Sequence, residues 1–413
     1  MGTVFSPAAL PPTRLAPPAG AEATTGRRIA SLDIIRGAVM VLMALDHVRV
    51  YAGVPPGGPT FGVFFTRWVT HFCAPAFVFL AGTAAFLHRE KLGSQGALAR
   101  YLVTRGAWLI LLDVTLLRLA WTFNLDYASY TPTNVIWTIG WCMILLAAIS
   151  RLPVAVVGAI GVAIIGLHNL TDLFAPGLGR SLAGSGIGWL WQILYFGGPF
   201  RIGGDGPQVV VLFSIVPWVG VIAAGYAFGA VMRADPERRG RLCLRIGLGA
   251  VALFVALRAL DVYGDPRHWQ SASDGAPPAI LRFLGTTKYP ASLLFLLMTL
   301  GPTIALVPLL DRARGRLARW LSVFGRVPFF YYVLHIPLIH LVAVSISLVR
   351  TPAQTWWLFT NHPIMPPPVP DDYRWSLTLL YVVTAAVVVA LYLPCRWFAG
   401  VKARRKDPWL SYL

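Results

Sequence analysis

Ten apolar runs, each close to the length a helix needs to cross a bilayer, leave this chain few folds to choose from. They fall near 29–52, 66–88, 97–122, 133–150, 153–170, 208–232, 242–262, 288–310, 323–349 and 375–397. No soluble domain of 413 residues is 56% hydrophobic and only 13% charged, at a mean hydropathy of +0.65. The expected fold is therefore all-α, a polytopic integral membrane helix bundle of about ten transmembrane helices. Lys and Arg gather in alternate loops: after the second, fourth, sixth and eighth runs and at both ends. The other loops (53–65, 123–132, 171–207, 263–287, 350–374) are poor in them, so the positive-inside rule puts both termini in the cytoplasm.

That bias also accounts for the net charge of +18, and no soluble basic domain exists that would make nucleic acid the partner. Residues 1–26, rich in Pro, Ala and Thr, read as a disordered cytoplasmic tail, 27–400 as one transmembrane domain and 401–413 as a basic tail. The expected location is a cell inner or plasma membrane. The bilayer is the first partner, and a homodimer is left open. Cys73, Cys142, Cys243 and Cys395 lack paired spacing and read as buried hydrophobes; no cluster has metal-ligand spacing, so no metal is expected.

The first run, RRIASLDIIRGAVMVLMALDHVRVY, holds the chemistry. Asp33, Arg36, Asp46 and His47 lie within it, and a charge at the centre of a spanning helix costs roughly 2.5–3.5 kcal/mol even on lenient scales. Such residues face a bundle interior or a wet cavity. Arg36 and His47 are eleven positions apart, which puts them within about 20° of one helix face and about 16 Å apart along the axis. One rod thus offers a guanidinium toward the cytoplasm and an imidazole toward the outside. Arg36 can pair with Asp33 or bind phosphate oxygens with its planar fork, and its five donors allow both. Neutral imidazole suits a general base near pH 7. Asp46, next in sequence to His47, points about 100° away and is better placed to meet another span or the acceptor.

Further histidines face the same half of the bundle: His71 at the start of the second run, His335 and His340 in the ninth. His340 lies about 140° around the helix from His335, so the two do not share a face well. Lys288 and Tyr289 open the eighth run, as interface anchors or acceptor contacts. Asp113 and Arg118 read as an ion pair within the third run. Gly225 and Gly229 read as a close helix contact. Loops 171–207 and 263–287 are long enough to form a lid over the histidines. Asn169-Leu170-Thr171 is a glycosylation sequon by pattern only, and GSGIG at 184–188 lacks the context of a phosphate cradle.

LDIIRGAVMVLMALDHVR followed by THFCAPAFVFLAG resembles the bacterial branch of the heparan-alpha-glucosaminide N-acetyltransferase family of membrane acyltransferases. TKYPASLLFLLMTLGP and VPFFYYVLHIPLIH look like the same branch. Arg36, ten residues and His47 are also similar to the arginine–histidine signature of the acyltransferase type three proteins. The resemblance implies an acyl group, acetyl in the first instance, taken from acyl-CoA on the cytoplasmic side and passed to a hydroxyl or amine of a saccharide-like acceptor outside. It puts His47 on the catalytic position of the first span. The lysosomal members carry Asn there and a histidine in the following loop; that loop has none here, and His71 is the nearest substitute. The expected site is therefore His47, His71 and Asp46 for catalysis, Arg36 and Asp33 for acetyl-CoA, and His335, Lys288 and Tyr289 for the acceptor. The alternative function is a secondary transporter with an intramembrane histidine proton relay, but matching broken helices in two halves are not visible.

Overall fold

The computed structural model describes residues 29–413 except 56, 59, 184, 271–275, 363–364, 366, 406 and 412–413. The expected tail 1–26 lies outside the described residues. Seventeen α-helices follow one another among the described residues. The first nine are α1 (Ala30–Tyr51), α2 (Phe61–Trp68), α3 (Cys73–Leu92), α4 (Gln95–Leu112), α5 (Arg118–Thr122), α6 (Val135–Ile149), α7 (Val154–Leu167), α8 (Ala175–Ala183) and α9 (Gly188–Trp191). Then come α10 (Ile215–Arg233), α11 (Pro236–Leu260), α12 (Ala279–Leu284), α13 (Leu293–Ala305), α14 (Val307–Arg312), α15 (Arg316–Arg326), α16 (Pro328–Arg350) and α17 (Leu377–Arg404).

Helix occupies each of the ten apolar runs, and local chemistry sets several starts. Ser94, Ser292 and Ser376 each accept a backbone N–H in the first turn of α4, α13 and α17; Asp235 does so for α11, with Pro236 at its first position. Seven helical stretches are long and apolar enough to cross a membrane. The helix α1 is long enough but holds Asp33, Arg36, Asp46 and Arg49, and α6 has only 15 residues. Interruptions fall inside several of the expected runs. Asp113–Leu117 forms a π-helical turn between α4 and α5. The ninth run splits where Pro328, which lacks an N–H, starts α16 after α15 has ended.

The helix α10 packs against α3 and α7, α4 against α6, α11 against α13, and α1 against α15 and α16. The stretch of α10 is 67% buried, whereas those of α7 and α11 are only 22% buried. Leu248, Leu253, Val255 and Leu260 on α11 stand exposed with no protein to cover them, as on a helix that faces lipid. All four cysteines are buried and unpaired.

Close approach rests on glycine. A Cβ on Gly225 of α10 would lie 2.0 Å from the Phe79 carbonyl oxygen of α3, and one on Gly229 would meet the Phe86 Cβ at 2.5 Å. The Gly225–Gly229 pair is thus the helix contact its spacing suggests. Gly225→Val is expected to lower the thermal midpoint sharply, since overpacking costs about 1–3 kcal/mol or more. Gly96→Ala, where nothing lies within 4 Å, serves as the control in the same melting measurement.

A three-stranded sheet closes one end. Strand β1 (Thr131–Thr133) pairs parallel to β3 (Gln208–Val211), and β2 (Gly198–Arg201) pairs antiparallel on its other edge. Of the two loops expected to form a lid, 171–207 supplies β2 to this sheet, and both are tied down by buried polar contacts. Buried Arg258 of α11 donates to the carbonyls of Arg267, Arg282, Phe283 and Gly285. Asp265 accepts from Thr287 and Ser292, and the Tyr195 hydroxyl donates to Asp172 at 2.6 Å. The Asn169 sequon is sealed as well: Asn169 is 4% exposed, its amide on Asp172 and its oxygen on Leu293 N–H.

Candidate active site

Along α1, side chains at 36, 40, 43 and 47 fall at spacings of four, three and four, which is one helix face. That face lines two cavities. The first, of about 270 Å³, holds Arg36, Met40 and Met43 together with His88, Tyr101 and Arg105. The second, of about 540 Å³, holds Met43, Asp46 and His47 together with Trp121, Asn134, Lys288, Tyr289, His362 and Arg374. Met43, Val135 and Tyr332 line both, so the cavities abut there.

His47 lies at that junction, bonded to a residue far along the chain. Its Nδ1 is 2.7 Å from Nε2 of His335, and Nδ1 of His335 is 2.7 Å from the Tyr332 carbonyl oxygen. A carbonyl can only accept, so His335 carries its proton on Nδ1. With both rings neutral, Nε2 of His335 then accepts from Nδ1–H of His47. The proton positions follow from the bonding pattern. Nε2 of His47 is left with its lone pair free and has no hydrogen-bond partner among the described residues. Trp121 packs edge-on against the His47 ring at 4.7 Å. His335 was expected to contact the acceptor, but it is fully buried with both nitrogens engaged, so it offers neither to the cavity.

Asp46 sits beside His47 in sequence and apart from it in bonding. Both its oxygens lie 2.7 Å from Nη1 of Arg67, and Oδ1 also accepts from Nε of Arg49 at 3.2 Å. Arg49 in turn donates to the Val54 carbonyl. The carboxylate therefore meets another span through Arg67, as its direction on the helix implies.

Lys288 lines the second cavity, with no carboxylate in salt-bridge contact among the described residues. Its ammonium lies 5.5 Å from the Phe213 ring centre and 5.3 Å from that of Tyr289. Arg36 donates to the Leu32 carbonyl, and its Nη2 is 3.4 Å from Asp33. Asp33 is 3% exposed and lines neither cavity. His71 also lines neither; it packs against Phe295. His340 is held by the Ala120 and Leu358 carbonyls and stacked on Phe123.

Asp113 and Arg118 do not pair. Asp113 accepts from the Asn134 backbone N–H at 2.8 Å, while Arg118 turns to the carbonyls of Tyr130, Asn124 and Asp126. Five positions apart, the two would lie about 140° around an α-helix, and each group takes its own partners.

A family profile described as heparan-alpha-glucosaminide N-acetyltransferase, catalytic, matches residues 28–263, which is 236 of 413 residues. The chain belongs to that family. The chain matches no curated protein. Membership in the heparan-alpha-glucosaminide N-acetyltransferase family, with seven helices able to cross a membrane, makes this a membrane protein of acetyltransferase type. Acetyl-CoA is the donor of that family. The matched stretch runs from α1 through α11 and carries Arg36, Asp46, His47, Arg67 and Trp121. Lys288, Tyr289, His335 and His362 lie beyond it.

Several cavity residues escaped the sequence reading. Arg67 gives the same signal as Arg36, an arginine beside an apolar run, but it falls at the edge of the second run and passes for a flanking charge. Arg105 and His88 pass for loop-side basic residues. His362 lies in the loop 351–374 with no periodicity to mark it; burial pushes its pKa down to about 3, which keeps the ring neutral. Only the fold brings it to the cavity wall.

Proposed function

We propose that the protein moves an acyl group, acetyl in the first instance, from acyl-CoA to a hydroxyl or amine of an extracytoplasmic saccharide-like acceptor. One observation carries the reading: a single face of α1 lines two abutting cavities, with a guanidinium in one and an unengaged imidazole nitrogen in the other. The resemblance to the bacterial branch supports an inner-membrane location. In this reading ten spans cross the membrane, both termini are cytoplasmic and residues 27–400 form one domain. The Arg36 cavity then opens toward the cytoplasm.

Arg36 binds CoA phosphate oxygens, with Asp33 holding its guanidinium and Arg105 and His88 adding to the cationic wall. The thioester reaches the junction at Tyr332. Nε2 of His47 takes the proton as the acceptor oxygen or nitrogen attacks the thioester carbon. The carbon–sulfur bond then breaks, and the imidazolium returns the proton to the leaving thiolate. Lys288 and Tyr289 hold the acceptor. Asp46 acts through Arg67 and Arg49, fixing the wall beside the base. His71 takes no step. A covalent acyl-histidine is the competing route; a labile labelled acyl-enzyme formed without acceptor under rapid quench favours it, and its absence favours direct transfer.

Thermal stabilisation by acetyl-CoA tests the donor site, since a ligand that binds only the folded state must raise apparent stability. Charged hydrogen bonds contribute about 1.5–3 kcal/mol, so Arg36→Ala is expected to weaken acetyl-CoA binding by roughly 10- to 100-fold. Equal stabilisation of wild type and variant places the phosphates elsewhere.

A further inference from the structure

We infer that the Tyr332 side chain narrows the opening between the two cavities, so that the thioester meets an acceptor held at the junction and not the water of the larger cavity. The inference rests on the acyl-transfer reading above. Tyr332 lines both cavities yet is only 2% exposed, so it is wedged between them. Met43 and Val135 complete the constriction and are buried too. The Tyr332 ring stands edge-on to His47 at 6.2 Å and to His335 at 5.2 Å. Its main-chain carbonyl is the acceptor that fixes the His335 tautomer. One residue thus narrows the opening with its side chain and anchors the histidine pair with its backbone.

The chemistry requires such a constriction. A base that activates a hydroxyl or amine also activates water, and water in the larger cavity competes with every acceptor. A water needs only about 10–15 Å³ of probe-occupied space, less than a phenol ring fills. With the ring removed, water attacks the thioester carbon and gives its proton to Nε2 of His47. The carbon–sulfur bond breaks, acetate forms, and the proton passes to the CoA thiolate. The products are acetate and free CoA.

The test measures free thiol released from acetyl-CoA by the full-length protein without any acceptor, alongside thermal stabilisation by acetyl-CoA. Tyr332→Ala and the bulkier Tyr332→Leu are expected to raise acceptor-independent CoA release about tenfold or more, a small part of a hydrolysis barrier. Tyr332→Phe keeps the ring and is expected to keep release dependent on acceptor. Adding His47→Ala to Tyr332→Ala is expected to remove the extra release, which separates base-driven hydrolysis from general loosening. Release unchanged in both truncations, with acetyl-CoA still stabilising them, overturns the inference and leaves the acyl-transfer reading intact. Acetyl-CoA that stabilises none of the proteins, wild type included, overturns that reading and the inference with it.

Discussion

His47→Ala is expected to lower acyl transfer by about 10²- to 10⁴-fold, the usual worth of a positioned general base, while acetyl-CoA binding is retained. The two effects separate because Arg36 and His47 line different cavities. The loss should fall on kcat, since the imidazole acts as the bond to the acceptor forms. His335→Phe removes the group that holds Nδ1–H of His47 and leaves the ring free to turn. A smaller loss is expected there, because the base remains but its tautomer and orientation are no longer fixed. Steady-state rates with both substrates varied would show the split. A His47→Ala protein within twofold of wild type, beside an inactive His71→Ala protein, would move the base to His71.

The second large effect concerns stability. Among the described residues Asp46 is the one carboxylate in contact with Arg49 and Arg67, and all three side chains are at most 15% exposed. Removing it strands two buried guanidiniums, and breaking a buried pair in this way costs about 3–5 kcal/mol. Asp46→Ala is therefore expected to melt well below wild type or to accumulate poorly in the membrane. Replacing both partners with apolar residues of similar size is often close to neutral, so Asp46→Leu with Arg67→Met should recover part of the loss. Melting curves of the single and double variants decide the matter; a single variant as stable as wild type contradicts a structural role for the carboxylate.

The face of α1 was legible because helix periodicity alone carries it: Arg36, Met40, Met43 and His47 share a side whatever surrounds them. The need for a cavity on that side was equally legible, since ionised groups do not face lipid. The bond between His47 and His335 was not, because the two are 288 residues apart and no local pattern links a position on α1 to one on α16. The sequence suggested that His335 belonged near the site but made it a contact for the acceptor; its bonds to His47 and the Tyr332 carbonyl turn it inward. Asp113 and Arg118 show the opposite failure. Opposite charges close in sequence suggested a pair, but five positions lie about 140° around a helix, and each group binds other partners instead. Loop length says nothing of where a loop docks: Arg258 and Asp265 bind 263–287 to α11 and α13, while 198–201 pairs with the strand that leads into the wall of the second cavity. The wall of the second cavity comes from short segments, among them 53–55, 212–213 and 288–289, with His362 and Arg374 from the loop after α16.

The central claim is transfer across the membrane through one protein, and sealed proteoliposomes test it most directly. Acetyl-CoA labelled in the acetyl group is placed on the side proposed to bear the termini, and an α-glucosaminide on the other. The expected result is labelled sugar on the far side and free CoA on the near side, both lost in His47→Ala. Label that reaches the sugar only when both substrates share a compartment, or that persists without His47, contradicts the account.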